Sequence, residues 1–145
     1  MGIIHDIGSG PVCLDTCVFI YFMEEDKRYI DVVTPIFEAV NEGQFNAITS
    51  GITLLETLVV PLRAKDDLLA NQYEQLLSKS KGLTLTNLSH ELLRRAAVLR
   101  ATFQIKTPDA LQIAAAQQER CRIFVTNDRR LPKIPGLKIL QLSDY

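Results

Sequence analysis

The sequence predicts an α/β fold in which a mainly parallel sheet carries helices on both faces. Three observations lead there. Short strand-like runs alternate with segments of helical period along the whole chain, the pattern of crossover connections between parallel strands. The runs around "PVCL" and "RIFVT" are apolar nearly throughout, as strands covered on both faces are. No internal repeat, low-complexity tract or linker interrupts the 145 residues, so one domain over residues 1–145 is expected.

The elements follow in order. The first ten residues, with Gly8-Ser9-Gly10-Pro11 behind them, read as a loose lead-in. Pro11 to Asp15 is a short apolar strand, and Thr16 to Phe22 changes period and starts a helix. "EEDKR" at 24–28 is a solvated turn. Ile30, Val33, Ile36, Phe37 and Val40 recur at helical spacing and predict a helix from Tyr29 to Asn41, ended by Gly43. "FNAIT" at 45–49 is the second strand. Ser50 caps a helix to about Val60, which Pro61 stops or offsets. "KDDLLANQYEQLLSKS" at 65–80 is an amphipathic helix closed by Gly82, and "LTLT" at 83–86 is a strand. Ser89 caps a helix reaching Phe103. Thr107-Pro108 then opens another, with a hydroxyl cap and proline at the first helical position, running to about Arg120. "RIFVT" at 122–126 and "LKILQL" at 137–142 complete the sheet.

Composition excludes several classes. No apolar run approaches the eighteen or so residues of a membrane helix. The start has no basic region followed by a long apolar one, so no signal peptide is expected. Cys13, Cys17 and Cys121 are an odd number in apolar settings, which suits reduced thiols and a cytoplasmic location. The two histidines, His5 and His90, lie far from the cysteines in sequence, so a zinc site lacks its soft ligands. Net charge is −1, but it is unevenly spread. Residues 1–93 hold 6 Lys/Arg against 13 Asp/Glu, and residues 94–138 hold 10 against 3. The basic third is either a set of solvated faces or a surface for a phosphate backbone, with Lys106, Arg129 and Arg130 the candidates near the site.

Four acids need a reason. Asp15 ends the first strand and Asp128 follows the fourth, so parallel strands bring both to one sheet edge, where open α/β folds place their sites. Asp109 lies in the first turn of the helix after "KTP", and Glu56 lies in the helix after the second strand. Singly, each has an ordinary explanation as a helix cap, a dipole partner, a turn former or the polar side of an amphipathic helix. The helix that Asp109 opens, "ALQIAAA", is apolar nearly all round and therefore buried, which turns its acid towards a cleft. Gathered at one crevice the four would repel: two unit charges about 5 Å apart at an effective dielectric of about 20 cost about 3 kcal/mol. A hard divalent cation, Mg²⁺ or Mn²⁺, relieves that repulsion, and no histidine lies near these stretches to favour a softer one. Such a cation activates water and neutralises charge on a phosphodiester oxygen. Thr16, Thr126 and Asn127 add short polar groups at the same edge.

At these residues the sequence resembles the PIN-domain family, and within it the VapC-type toxin ribonucleases of bacterial toxin–antitoxin pairs. "VCLDTCVFIYF", "TLLETLV", "TPDALQIAAA" and "IFVTNDRRL" carry the resemblance, in the family's order, over about residues 11–142. It implies a three-layer α/β/α Rossmann-like fold with a mainly parallel five-stranded sheet. It implies a Mg²⁺- or Mn²⁺-dependent ribonuclease acting on RNA. Asp15 and Asp109 would be the central metal ligands, with Glu56 and Asp128 completing an acidic catalytic site. Thr126 matches a position where the family often has a hydroxyl. Cys17 departs from the Ser or Asn that commonly follows Asp-Thr. The resemblance also implies a homodimer and an antitoxin partner.

Other readings fit less well. A phosphoaspartate enzyme of the haloacid dehalogenase type needs an acid two residues after Asp15, where Cys17 stands. A receiver domain wants an acidic pair at the first strand end, where Val12-Cys13-Leu14 stands. An RNA-processing PIN nuclease without an antitoxin, or a PIN protein that binds RNA or a partner without cutting, remains as the alternative.

Overall fold

In a computed structural model, residues 2–145 are described; Met1 of the predicted lead-in lies outside them. Strands β1 (Val12–Leu14), β2 (Ala47–Ser50), β3 (Leu83–Thr86), β4 (Ile123–Thr126) and β5 (Lys138–Gln141) form one sheet in the order β3-β2-β1-β4-β5. Every neighbouring pair is parallel, so the sheet is parallel throughout where the sequence predicted it mainly so. The chain leaves the central β1 towards β2 and β3, then returns to place β4 on β1's other side. The strand order therefore reverses at β1 and β4, and a crevice opens at their carboxyl ends.

The strands are short and bury both faces, because successive side chains alternate. Val12, Leu14, Ala47, Val125 and Leu140 enter one core with α1 (Ile3–Ile7), α2 (Thr16–Met23) and α3 (Ile30–Asn41), joined by Leu77 of α5 (Asp67–Lys79). Cys13, Ile48 and Phe124 enter the other with α6 (His90–Thr102) and α7 (Thr107–Gln118). The three α/β/α layers follow. Helix α4 (Ile52–Arg63) touches α2 of one layer and α7 of the other, which sets it against the carboxyl edge of the sheet. Helix α7 is as buried as its composition demands: Ala110 to Ala116 are all inside.

Four expectations are corrected. Residues 3–7 form a helix rather than a loose lead-in, because Ile3 and Ile7, one turn apart, are both buried against the core. Tyr145 reinforces it by donating its hydroxyl to Asp6 from the other end of the chain. Pro61 lies inside α4, which continues to Arg63. So close to the helix end the ring removes a single hydrogen bond, and the helix tolerates it. Two caps move by one residue. Gly51, not Ser50, caps α4, although the Ser50 hydroxyl accepts from the Ile52 amide at 3.3 Å. Lys106, not Thr107, caps α7, because Arg100 Nη1 engages the Thr107 hydroxyl at 2.9 Å and Arg100 Nε donates to the Ile105 carbonyl at 3.1 Å. Arg100 thereby braces the loop that presents Asp109. Among the described residues, no helix is long and apolar enough to cross a membrane.

If α1 is part of the core, Ile7→Ala costs about 2–4 kcal/mol of folding stability by thermal or urea denaturation. Leu68→Ala, at a residue 71% exposed, stays within about 0.5 kcal/mol. A cost below about 0.5 kcal/mol for Ile7→Ala would return these residues to the status of a loose lead-in.

Candidate active site

Asp15 stands where β1 hands over to α2. The register pairs Leu14 with Val125, and the Asp15 amide donates to the Val125 carbonyl at 2.9 Å, so the residues just beyond the two strands meet. Asp15 is the α2 cap: one carboxylate oxygen accepts from the Thr16 amide at 2.8 Å and the other from the Thr126 hydroxyl at 2.7 Å. Burial pushes its carboxyl above the ordinary range, and the nearby charges of Glu56 and Asp128 push the same way against those two hydrogen bonds. Asp109, half-buried in the first turn of α7, is also raised, first by burial and then by Asp15 and Asp128, with Arg130 and Lys106 opposing. Asp128 behaves oppositely. The Arg130 side chain donates to both its oxygens, at 3.0 and 3.3 Å, and holds it below the usual carboxylate range. Glu56 reaches the same edge from α4 and accepts from the Thr16 hydroxyl at 2.7 Å.

The four acids are thus coupled through their fields, but they are not a closed chelate. Among the described residues, no three carboxylate, imidazole or thiol groups converge tightly enough to enclose an ion unaided. That arrangement still fits a hard cation. Magnesium usually binds through one or two carboxylates and keeps several waters. Asp15 is a half-buried anion crowded by like charges, and the donors around it are oxygen. Cys17 offers no thiolate: burial, with Asp15 beside it, pushes its thiol up to about 12. A hollow of about 390 Å³ bounded by Asp15, Cys17, Tyr21, Thr126 and Asp128 adjoins a smaller one of about 100 Å³ that reaches Lys106 and Asp109, with Asp128 and Arg130 common to both. A larger groove, of about 500 Å³ between α6 and Ile134–Pro135, holds none of the four.

The PIN domain family model matches residues 12–137. The chain belongs to the PIN domain family. Solved structures agree in fold. A toxin–antitoxin complex from Klebsiella pneumoniae contains a chain 23% identical, with TM-score 0.67 over 91% of this chain and 98% of that one. VapBC2 from Rickettsia felis, bound to a DNA fragment from its promoter, gives TM-score 0.70 at 19% identity over 90% and 97%. Mycobacterium tuberculosis VapC20, a toxin that cleaves the sarcin–ricin loop, gives 0.64 at 13% identity over 79% and 87%. No protein of curated function matches the chain in sequence.

In this PIN domain the supporting residues divide by what they touch. Thr16 and Thr126 bond to acids directly, and Thr126 also accepts the Asp128 amide at 3.1 Å. Asn127 lines the same hollow as Asp15 and Asp128 but bonds elsewhere: its amide lies 3.4 Å from the Tyr21 hydroxyl, and its oxygen accepts from the Ser143 amide. Among the three basic candidates, Arg129 pairs with Asp144 and Ser143, Arg130 pairs with Asp128, and Lys106 stands exposed at the mouth of α7. Sequence reasoning missed Gln112, 1% exposed, and the buried Thr49 and Thr53, which together form a polar cluster behind Glu56. The available signal was a single amide inside the run "ALQIAAA", since a polar group in a buried helix needs partners.

Asp15→Asn tests the electrostatics. The raised acid binds more protons folded than unfolded, so its charge opposes folding at neutral pH, and that opposition fades as pH falls towards the unfolded value of about 3.9. In EDTA at pH 7 the variant should melt at or above the wild-type temperature, with the gap shrinking as pH falls towards 4. A variant several degrees less stable at pH 7 would contradict a charge-strained Asp15.

Proposed function

We propose that this PIN domain, over residues 1–145, is a metal-dependent ribonuclease and the toxin of a type II toxin–antitoxin pair. The observation that carries the reading is a half-buried, hydrogen-bonded Asp15 whose charge is opposed by Glu56 and Asp128, facing a hollow that adjoins the one lined by Asp109 and Lys106. Asp15 and Asp109 would hold Mg²⁺ or Mn²⁺, with Glu56 and Asp128 acting through water or towards a second ion. A bound cation supplies a more acidic water and neutralises charge on a phosphodiester oxygen.

The chain's own residues do the rest. Thr126 and the Thr16 amide fix both Asp15 oxygens, so the carboxylate is oriented before any ion arrives. Arg130 occupies Asp128 and limits its repulsion of Asp15 and Asp109. Lys106 provides an unpaired positive charge beside Asp109 for the RNA backbone; Arg129 and Arg130 would have to release Asp144 and Asp128 to do the same. The reading of an RNA-cutting toxin is supported by VapC20, and that of an antitoxin partner by the toxin–antitoxin complexes of similar fold. A homodimer and a cytoplasmic location belong to the same reading.

Purified protein should cleave RNA with Mg²⁺ or Mn²⁺ and lose cleavage in EDTA. Asp15→Asn and Asp109→Asn should each reduce the rate by about 100-fold or more while melting as folded proteins. Cleavage by Asp109→Asn at the wild-type rate would remove Asp109 from the site. A wild-type protein that binds Mn²⁺ and RNA but cuts nothing would favour the non-cleaving alternative.

A further inference from the structure

The protons of the buried cluster behind Glu56 can be placed one by one. The Thr49 hydroxyl donates to the Leu14 carbonyl at 2.7 Å, an atom that only accepts. Thr49 therefore accepts from the Thr53 hydroxyl, 2.6 Å away, which commits the Thr53 proton. At the other end Thr16 donates to Glu56 at 2.7 Å, which commits the Thr16 proton. The Thr16 and Thr53 oxygens lie 3.1 Å apart with no proton left between them. Gln112 resolves the conflict. Its side-chain nitrogen lies 2.7 Å from Thr53 and 3.4 Å from Thr16, and it donates to both. Its orientation is fixed, because its oxygen must accept from the Ser50 amide at 3.1 Å.

Packing alone does not call for an amide here. Gln112 is flanked on α7 by Leu111 and Ile113, both buried in the core, where an apolar residue of similar volume carries no desolvation cost. The amide does two things such a residue cannot: it accepts from the buried Ser50 amide, and it donates to two hydroxyl oxygens whose own protons are directed elsewhere.

We propose that Gln112 is a positioning residue of the site, fixing the hydroxyl chain so that the Thr16 hydroxyl points at Glu56 and holds its carboxylate at the strand edge. The proposal rests on the nuclease reading in so far as Glu56 serves the cation site. Gln112 acts through Thr16 and touches no acid of the set itself.

The test measures the Mn²⁺ dissociation constant by calorimetric titration of the full-length protein without RNA. Thr16→Val and Gln112→Met should each raise it about tenfold or more, the range expected of groups that orient metal ligands. Thr16→Ser should stay within about twofold of wild type. The double variant Gln112→Met/Thr16→Val should be no worse than the weaker single variant by more than about twofold, because both act through one hydroxyl. A wild-type response in Gln112→Met or Thr16→Val overturns the proposal, and so do multiplying effects. A second arm needs neither metal nor a folded variant. In proton NMR of the metal-free wild type, the Gln112 side-chain amide protons should be protected from exchange and show contacts to Thr16 and Thr53. Free exchange without those contacts overturns the proposal. A wild type that neither responds to Mn²⁺ nor cleaves RNA defeats the nuclease reading instead, and the NMR arm alone then decides the role of Gln112.

Discussion

The site depends on the parallel pairing of β1 with β4. Residues 15 and 126 are 111 positions apart in the chain, yet the register that pairs Leu14 with Val125 leaves them no choice but to meet. Everything polar at that edge is arranged around the encounter. Thr126 holds Asp15, Asp15 caps α2, and the first residue of α2, Thr16, holds Glu56 on α4. A strand order without the reversal at β1 would send the loop after β4 elsewhere, and Asp128 with it.

The second consequence is electrostatic. The fold half-buries Asp15 and Asp109 while placing further carboxylates within reach of their fields, which raises both. Asp128 is relieved by Arg130, and that relief uses an arginine that would otherwise be available to a nucleic acid. The apolar helix α7 contributes twice, presenting Asp109 at its mouth and Gln112 one turn further in. The site is thus held in shape by hydroxyls and an amide while its charges work against it. Such a site gains stability from any hard cation that binds the native state alone.

Much of this was legible in the sequence. Alternating periods gave the layered parallel sheet, and the strand-end positions of Asp15 and Asp128 gave the edge. The apolar composition of "ALQIAAA" gave the burial of α7. What escaped has physical causes. The helix at Ile3–Ile7 is a single turn, too short for a period to show, and is stabilised by tertiary burial. The displaced cap at Thr107 was decided by a residue outside the local motif, Arg100. Gln112 was read as part of an apolar surface because its partners, Ser50, Thr53 and Thr16, come from two other segments and only the fold assembles them. The pairing of Arg130 with Asp128 is local, two residues apart, but its meaning depends on which acids lie across the crevice.

The central claim is that a divalent cation takes its place at the carboxyl ends of β1 and β4 against Asp15. Anomalous diffraction from crystals of the full chain soaked in millimolar Mn²⁺ tests it most directly. The account predicts a peak at coordination distance from an Asp15 carboxylate oxygen, on the side facing Asp109, and no such peak in Asp15→Asn. An empty edge at Asp15 in crystals whose protein still cleaves RNA with Mn²⁺ would contradict it.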